Sequence, residues 1–349
     1  MIVGAVGFSW SGSSAVSDLL MEFDNTQVYK PEFFYPYYPD CLEDLDYHLN
    51  DQCSKFISST IAIQRFKKTI NRLLYKQTNG RIVKLTEEYV NNLVQARWVG
   101  RSLGEEANPA YRKIAVFIYQ RIITRRMQSE FCREHKVFPL REQYLSIMPD
   151  DFEEKTQKYI DGIMEILGLD LTKTIVLDQP FPGNDPQRSM RYFRDSKAII
   201  VDRDPRDIYM IVKKFFKNRC YQFPDKIDQF IPYYAMLHKP MDKTNGDPNV
   251  LHIRFENLVY NYQQTVNDII RFLDLGEHIS PKKYFVPEMS MANTRLFEKC
   301  TEFRDDIAQI ENKLSTYLFD FSRYKSVSAS GIVFDNNPNS ISYDFRSPR

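Results

Sequence analysis

The sequence predicts an α/β fold in which helices cover both faces of a central parallel sheet. Apolar, β-branched segments recur along the chain, and each stands next to a pattern with helical spacing. Strands buried on both faces read as continuous apolar runs, and their alternation with helices is typical of parallel, three-layer sheets. A chain of 349 residues is long enough to bury one large core.

The elements follow in a regular order. Residues 2–8 form the first strand, which enters the turn GFSWSGSS and then an amphipathic helix. The later strands are predicted in TIVLDQP, KAIIVDRDPRD and NVLHIRFENLV, and the last of these leads into the helix YNYQQTVNDIIRFLDL. Mixed basic and apolar stretches between about residues 55 and 154, such as IAIQRFKKTINRLLYK and RKIAVFIYQRIITRRMQSEF, predict a large helical insertion. We expect one domain over residues 1–325 and a polar tail over 326–349.

Composition excludes several classes of protein. Lys and Arg number 47 against 46 Asp and Glu, so the basic excess of a general nucleic-acid binder is missing. Five scattered cysteines without paired spacing favour a reducing compartment, and the opening MIVGAVGF is too short for a membrane span. We therefore predict a cytoplasmic protein without a transmembrane segment, with peripheral membrane contact left open.

The turn GFSWSGSS has almost the spacing of a phosphate-binding loop. Gly7 and Gly12 allow a tight turn that directs backbone N–H groups at an anion, and Ser13 and Ser14 add hydroxyl donors at the start of a helix. Ser13 stands where a nucleoside-triphosphate enzyme carries its lysine. The same letters also suit a plain turn in which a serine caps the helix, so both interpretations stay open.

A second charged turn, DRDPRD, follows the buried run AIIV. Ligands of open α/β sheets bind at the carboxyl ends of the strands, which is where this turn is expected. Arg203 and Arg206, held by a proline-fixed turn, have the geometry to grip a phosphate. The alternative is a surface turn in which Asp204 and Asp207 neutralise the two arginines.

These segments, in this order and followed by LHIRFENLVYNYQQTVNDIIRFLDL, resemble the sulfotransferases. The resemblance implies a P-loop-like fold, 3′-phosphoadenosine 5′-phosphosulfate (PAPS) as co-substrate, and no metal. It implies that the first loop holds the 5′-phosphosulfate, through Ser9, Trp10, Ser11, Gly12, Ser13, Ser14 and Ala15. It implies 3′-phosphate contacts by Arg203 and Arg206, and a late segment, PEMSMANTRLF, that adds Asn293, Thr294 and Arg295. The late segment also suits a loop that precedes a helix.

Two positions depart from the pattern of that family. Its loop carries a lysine or arginine where Trp10 stands, and it often has a serine where Ile211 stands. A sulfotransferase needs no lysine at Ser13, whereas an enzyme of ATP or GTP does. The candidates for a replacement cation are Lys213, Lys214, Arg65, Lys67 and Lys68.

The acceptor hydroxyl must lose a proton during transfer, which requires a general base. By resemblance, the base belongs in TIVLDQPFP, where Asp178 stands. Asp178 ends an apolar run, so burial is expected to raise its pKa, although a strand-end aspartate also commonly caps a turn. Glu32 in KPEFFYP is the second candidate, either as base or as a contact of the acceptor.

The expected function is transfer of a sulfonate from PAPS to a hydroxyl of a carbohydrate, as in bacterial enzymes that modify surface-polysaccharide or glycolipid precursors. One alternative is a P-loop phosphotransferase with Asp202 or Asp178 as its magnesium ligand. Another is a catalytically silent nucleotide-binding protein, since Trp10 and Ile211 replace the expected residues. The five histidines lack ligand spacing and are expected to be structural.

Overall fold

The computed structural model describes residues 1–52, 59–100, 118, 141–215, 223–324, 331–332 and 343–344. The central sheet consists of the strands β1 Ile2–Gly7, β2 Thr26–Glu32, β5 Thr174–Asp178, β6 Ser196–Asp202 and β7 Val250–Arg254. Their order across the sheet is β2-β5-β1-β6-β7, and every neighbouring pair is parallel. The predicted α/β fold with a central parallel sheet is therefore confirmed.

Helices lie between and after these strands along the chain. In the described residues they are α1 Ser13–Leu20, α2 Leu42–Asp46, α3 Ser59–Leu74, α4 Arg81–Leu93, α5 Phe152–Ile166, α6 Gln187–Met190, α7 Pro205–Met210, α8 Ile227–His238, α9 Phe255–Tyr260, α10 Tyr262–Leu273, α11 Pro287–Ser290 and α12 Arg304–Lys313. Both α2 and α7 continue into a π-helical turn. No helix in the described part of the chain is long and apolar enough to cross a bilayer.

The chain divides into two compact units, of which the first, Met1–Phe34 with Leu169–Arg349, contains the central sheet. Helix α1 packs its apolar face, Val16, Leu19 and Leu20, into a buried cluster with Val3 of β1 and Val176 of β5. Complete burial of each such side chain contributes about 1.5–3 kcal/mol. This packing fixes the start of α1 above the carboxyl ends of the central strands.

The second unit, Tyr35–Gly168, contains α2 to α5 and an antiparallel hairpin of β3 Ala96–Gly100 and β4 Arg141–Leu145. Its core includes Tyr89 and Tyr159, whose rings stack at 4.3 Å and whose hydroxyls bond Thr156 and Thr86. The expected helix IAIQRFKKTINRLLYK corresponds to α3. The hairpin was not expected, and RKIAVFIYQRIITRRMQSEF lies outside the described residues except for residue 118.

Two further differences concern the first unit. Strand β2 was not predicted, because TQVYKPE is polar and half-exposed at the edge of the sheet and lacks the apolar run of a central strand. The predicted tail at 326–349 is described only at β8 Gly331–Ile332 and β9 Tyr343–Asp344, which pair with each other.

Candidate active site

The loop between β1 and α1 depends on its two glycines. A Cβ at Gly7 would lie 2.3 Å from Ser11 Oγ and 2.6 Å from the Val201 carbonyl oxygen. Gly12 has a φ of +95°, and a Cβ there would lie 2.4 Å from the ring of Phe255. Glycine at position 7 allows the close approach of Ser11, and glycine at position 12 allows both a close approach and a left-handed backbone without strain. The glycine spacing noted in the sequence is therefore a structural requirement of this turn.

The backbone of the loop leaves the start of α1 uncapped. The Ser11 N–H donates to the Phe8 carbonyl at 2.9 Å, and the Ala15 N–H donates to the Gly12 carbonyl at 3.0 Å. Gly12 is the N-cap and offers no side-chain acceptor to the first N–H groups of α1, while Ser14 is exposed. An uncapped helix start of this kind attracts an anion through its N–H groups and dipole. Ser9 and Ala15, at the two ends of the loop, are half-buried.

Gln179 connects this loop to the end of β5, and sequence reasoning missed it. Its Nε2 donates to Ser13 Oγ at 3.0 Å, and its Oε1 accepts the N–H of Gly7 at 3.4 Å. Its φ is +53°, a conformation that costs a non-glycine residue of order 1–3 kcal/mol. The available signal was a polar side chain directly after a buried strand, at the edge where ligands bind.

Arg203 joins the first loop to the late segment. Its Nη1 donates to the Trp10 carbonyl at 3.0 Å, and its Nη2 donates to the Asn293 carbonyl. The guanidinium lies 4.9 Å from the ring centre of Phe255. Because β6 pairs directly with β1, the two predicted turns stand at the same edge of the sheet. Turns at opposite edges of the sheet could not have formed one site, and these two turns are not so placed.

Two polar atoms of this junction are buried and lack a hydrogen-bond partner in the described structure, Ser11 Oγ and Arg203 Nε. Arg203 is 5% exposed, and burial lowers its pKa although the carboxylates of Asp207, Glu256 and Asp204 oppose that effect. Unpaired buried donors are costly in a folded protein, so this junction is the candidate ligand site.

The rest of the charged turn is occupied by internal contacts. Asp204 caps α7 by accepting the Arg206 N–H at 2.9 Å. The Arg206 guanidinium donates to both carboxylate oxygens of Asp204, at 3.0 and 2.8 Å, and to Glu311 at 2.9 Å. Asp207 accepts the N–H groups of Arg295 and Leu296. Arg206 and Asp207 therefore hold the turn and the late segment together, whereas Arg203 faces the loop.

The late segment contributes mainly through its backbone. Asn293 offers the carbonyl that Arg203 binds, and Thr294 is 1% exposed with its hydroxyl 2.6 Å from that of Tyr260. Arg295 has a φ of +56°, and its guanidinium donates to Glu298 and to the Tyr324 carbonyl. Thr294 and Arg295, which were predicted to contact the 3′-phosphate, instead bond neighbouring protein groups.

The two predicted bases are neighbours at the end of β5. Glu32 pairs with Asp178 in the register of β2 and β5. Burial, together with the charges of Glu32 and Asp18, raises the pKa of Asp178 to about 7. Asp178 Oδ1 is buried and has no hydrogen-bond partner among the described groups. A carboxylate with this pKa can accept a proton near neutral pH.

Asp202, at the end of β6, is part of a buried cluster. Its Oδ1 accepts the Arg203 N–H at 2.7 Å and lies 3.0 Å from His238 Nε2 and 3.2 Å from the Tyr234 hydroxyl. The His238 ring lies 4.0 Å from that of Phe8, which precedes the loop. The cluster stabilises the base of the two turns.

Trp10 and Ile211, the two positions that depart from the family pattern, belong to one apolar region of the structure. Trp10 has a φ of +67° and packs against a buried cluster in which Ile211 is 1% exposed. Of the suggested replacement cations in this unit, Lys213 donates to the Asp225 carbonyl at 2.9 Å and Lys214 pairs with Glu302. In the other unit, Arg65 pairs with Asp40 and Lys67 with Glu87.

Comparison with solved structures finds similar chains, among them two at 14% sequence identity each. The alignment with the sulfotransferase domain from the curacin biosynthetic pathway covers 79% of this chain and 74% of that domain, with a TM-score of 0.37. The alignment with the sulfotransferase domain from the Synechococcus PCC 7002 olefin synthase covers 89% of this chain and 92% of that domain, with a TM-score of 0.38. Comparison with curated protein sequences gives no match.

The family model for the sulfotransferase family matches residues 4–278, a span that includes the loop, the charged turn and both candidate bases. This span is well over half of the 349 residues. The chain therefore belongs to the sulfotransferase family and is a sulfotransferase enzyme.

Proposed function

We propose that the protein transfers a sulfonate from PAPS to a hydroxyl of a carbohydrate acceptor. The observation that carries the donor assignment is the contact between Arg203 and the Trp10 carbonyl, which brings the two phosphate-binding turns together. A donor with two separate anionic ends requires two such turns at one edge of the sheet. Family membership supplies the sulfonate chemistry.

The groups present suit that donor. The uncapped N–H groups of Ser13 and Ser14, with the hydroxyl of Ser11, would hold the 5′-phosphosulfate, with Ser9, Trp10, Gly12 and Ala15 shaping the loop. The unpaired Nε of Arg203 would meet the 3′-phosphate. Arg206, Thr294 and Arg295 would support this end through the contacts described above, and Asn293 would do so through its carbonyl.

The chemistry then needs a base and a stabilised leaving group. The acceptor oxygen bonds to sulfur while the bond between sulfur and the bridging oxygen breaks. The acceptor proton passes to Asp178, whose pKa near 7 suits this task, and Glu32 is the alternative acceptor of that proton. The electron pair of the broken bond remains on the bridging oxygen, where the donors of the loop stabilise it.

The phosphotransferase alternative is disfavoured because its candidate magnesium ligand, Asp202, is already bonded within the protein. Asp202 is engaged by Arg203, His238 and Tyr234. No lysine stands in the loop, so the cation that this chemistry requires beside the phosphates is missing from it.

The proposed acceptor class rests on the aromatic content of the chain, and the proposed compartment rests on its cysteines. The chain contains 25 Phe and 22 Tyr, and aromatic faces are good platforms for the apolar faces of sugar rings. Cys41 and Cys300 are free and buried, in keeping with a reducing, cytoplasmic location. Surface-polysaccharide or glycolipid precursors would provide carbohydrate hydroxyls in that compartment.

Thermal shift and calorimetry with 3′-phosphoadenosine 5′-phosphate (PAP), ATP and AMP test the donor assignment. We expect PAP to raise the melting temperature well above the effect of AMP, because only PAP engages both turns. Transfer of radiolabelled sulfonate from PAPS to a glycan panel in the presence of EDTA tests the reaction. Equal shifts with PAP and AMP would refute the two-turn donor site, and binding without transfer would favour the catalytically silent alternative.

A further inference from the structure

We infer that Lys30 supplies the positive charge that the phosphate loop lacks, and that its ammonium contacts the departing phosphate oxygen of the donor. This inference rests on the proposed function and concerns a residue that sequence reasoning did not consider. The cation is needed because the bridging oxygen gains negative charge as the bond to sulfur breaks. Trp10 stands at the loop position where a cation was expected.

An irregularity in β2 sets the position of Lys30. Tyr29 pairs with Leu177 and Glu32 pairs with Asp178, so two residues of β2, Lys30 and its neighbour, stand where β5 has no counterpart. Bulges of this kind change the direction of a side chain and are frequent beside active sites. The Lys30 ammonium lies 3.3 Å from Asp18 Oδ1 on α1.

Asp18 places that ammonium close to the phosphate loop. Asp18 follows Ser14 by four residues in α1, so their side chains lie on one face of the helix, about 5–6 Å apart. Lys30 therefore stands about one helical turn from Ser14, within the range that rotation of its flexible four-carbon stem can cover.

The ion pair with Asp18 does not fix the lysine there. The Lys30 side chain is 61% exposed, and exposed pairs contribute only about 0–1 kcal/mol. A phosphate or sulfonate oxygen at the start of α1 offers a stronger, charge-assisted partner. Asp18 therefore acts as a resting partner that holds the ammonium on the correct face of the helix.

The carboxylate that pairs with Lys30 also acts on the candidate base. Asp18 and Glu32 both act electrostatically on Asp178, which groups three carboxyls around the end of β5. A negatively charged donor entering this group needs a compensating cation. Lys213 and Lys214, the other candidates in this unit, are bonded to Asp225 and Glu302.

The role of Lys30 in the step is specific. As the acceptor oxygen bonds to sulfur, the electron pair of the breaking bond moves to the bridging oxygen, which becomes a phosphate oxygen of PAP. The Lys30 ammonium offsets that charge without losing its proton, and the acceptor proton goes to the carboxylate base. In PAPS the bridging oxygen carries little charge, and its charge grows as the bond to sulfur breaks, so kcat is more sensitive to Lys30 than PAPS affinity is.

The test compares Lys30→Met with Lys30→Arg and with the control Lys158→Met. Lys158 is also 61% exposed and pairs with an acidic residue, Glu154, on the surface of α5. We expect Lys30→Met to lower kcat about 100-fold or more, to weaken PAPS binding less than about tenfold, and to leave the melting temperature unchanged. Lys30→Arg should restore most of the rate, and Lys158→Met should match the wild type.

Two results would overturn the inference, and they are distinguishable. If the wild type binds PAPS and transfers sulfonate while Lys30→Met keeps kcat within about threefold, Lys30 has no role but the proposed function stands. If calorimetry shows no PAPS binding by the wild type, the proposed function fails and the role of Lys30 fails with it.

Discussion

Replacing Asp178 with asparagine should stabilise the protein at high pH while it abolishes the proposed base. The substitution keeps the shape of the side chain and removes its charge. Asp178 ends a strand whose preceding residues are completely buried, and its Oδ1 has no partner in the described structure. The ionised carboxylate is therefore expected to destabilise the folded state.

The size of the effect follows from the pKa. Burial, with help from Glu32 and Asp18, raises the pKa of Asp178 from 3.8 to about 7. Each unit of difference between the folded and unfolded pKa values changes the free energy of unfolding by about 1.4 kcal/mol, which gives about 4 kcal/mol as an upper value. Because the side chain keeps some exposure, we expect about 2–4 kcal/mol.

The direction with pH is fixed by linkage. Below pH 3.8 the carboxyl is protonated in both states, and the variant should be as stable as the wild type. Between pH 3.8 and about 7 the unfolded state has ionised Asp178 while the folded state keeps it protonated, so the wild type loses stability progressively until the folded carboxyl also ionises. The free energy of unfolding of Asp178→Asn relative to wild type should therefore rise by about 2–4 kcal/mol between pH 4 and pH 8.

Urea unfolding at several pH values measures this difference, with Asp24→Asn in the exposed turn before β2 as a control. In parallel, log kcat/KM of the wild type should rise with pH up to about 7 and then level off, since the base must be ionised. The variant should lose about 10²–10⁴-fold in rate. A stability difference that is the same at pH 4 and pH 8 would refute the raised pKa, and an active variant would exclude Asp178 as the base.

Three further predictions concern neighbouring groups. Glu32→Gln should move the midpoint of the pH–rate profile to lower pH, because it removes a charge that raises the pKa of Asp178; an unchanged midpoint with lost activity would instead identify Glu32 as the base. Gly7→Ala should lower the free energy of unfolding by about 2 kcal/mol or more, because its Cβ would overlap Ser11 Oγ, and denaturant unfolding checks this. Arg203→Met should weaken PAP binding at least about tenfold in calorimetry and also lower the melting temperature, since two carbonyls lose a charged donor.

Local pattern was sufficient for the elements with a strong signal. The run before Asp178 and the run before Asp202 are apolar because they are buried on both faces, and both are strands of the sheet. The glycine spacing from Gly7 to Gly12 is visible in the sequence because those positions tolerate no side chain. Edge strand β2 and the hairpin of β3 and β4 were missed, since exposed strands carry no such run.

The site divides in a comparable way. The sequence by itself determined the chemical types, namely a loop with free N–H groups, an arginine-rich turn and a strand-end carboxylate, because each is a short segment with its own signature. Only the tertiary structure decided that Arg203 faces the loop while Arg206 is held by Asp204 and Glu311. It also decided that Gln179 bonds Ser13 across 166 positions of the chain. Such assignments depend on which strands become neighbours, and that order is set by packing of the whole core, which no local segment encodes.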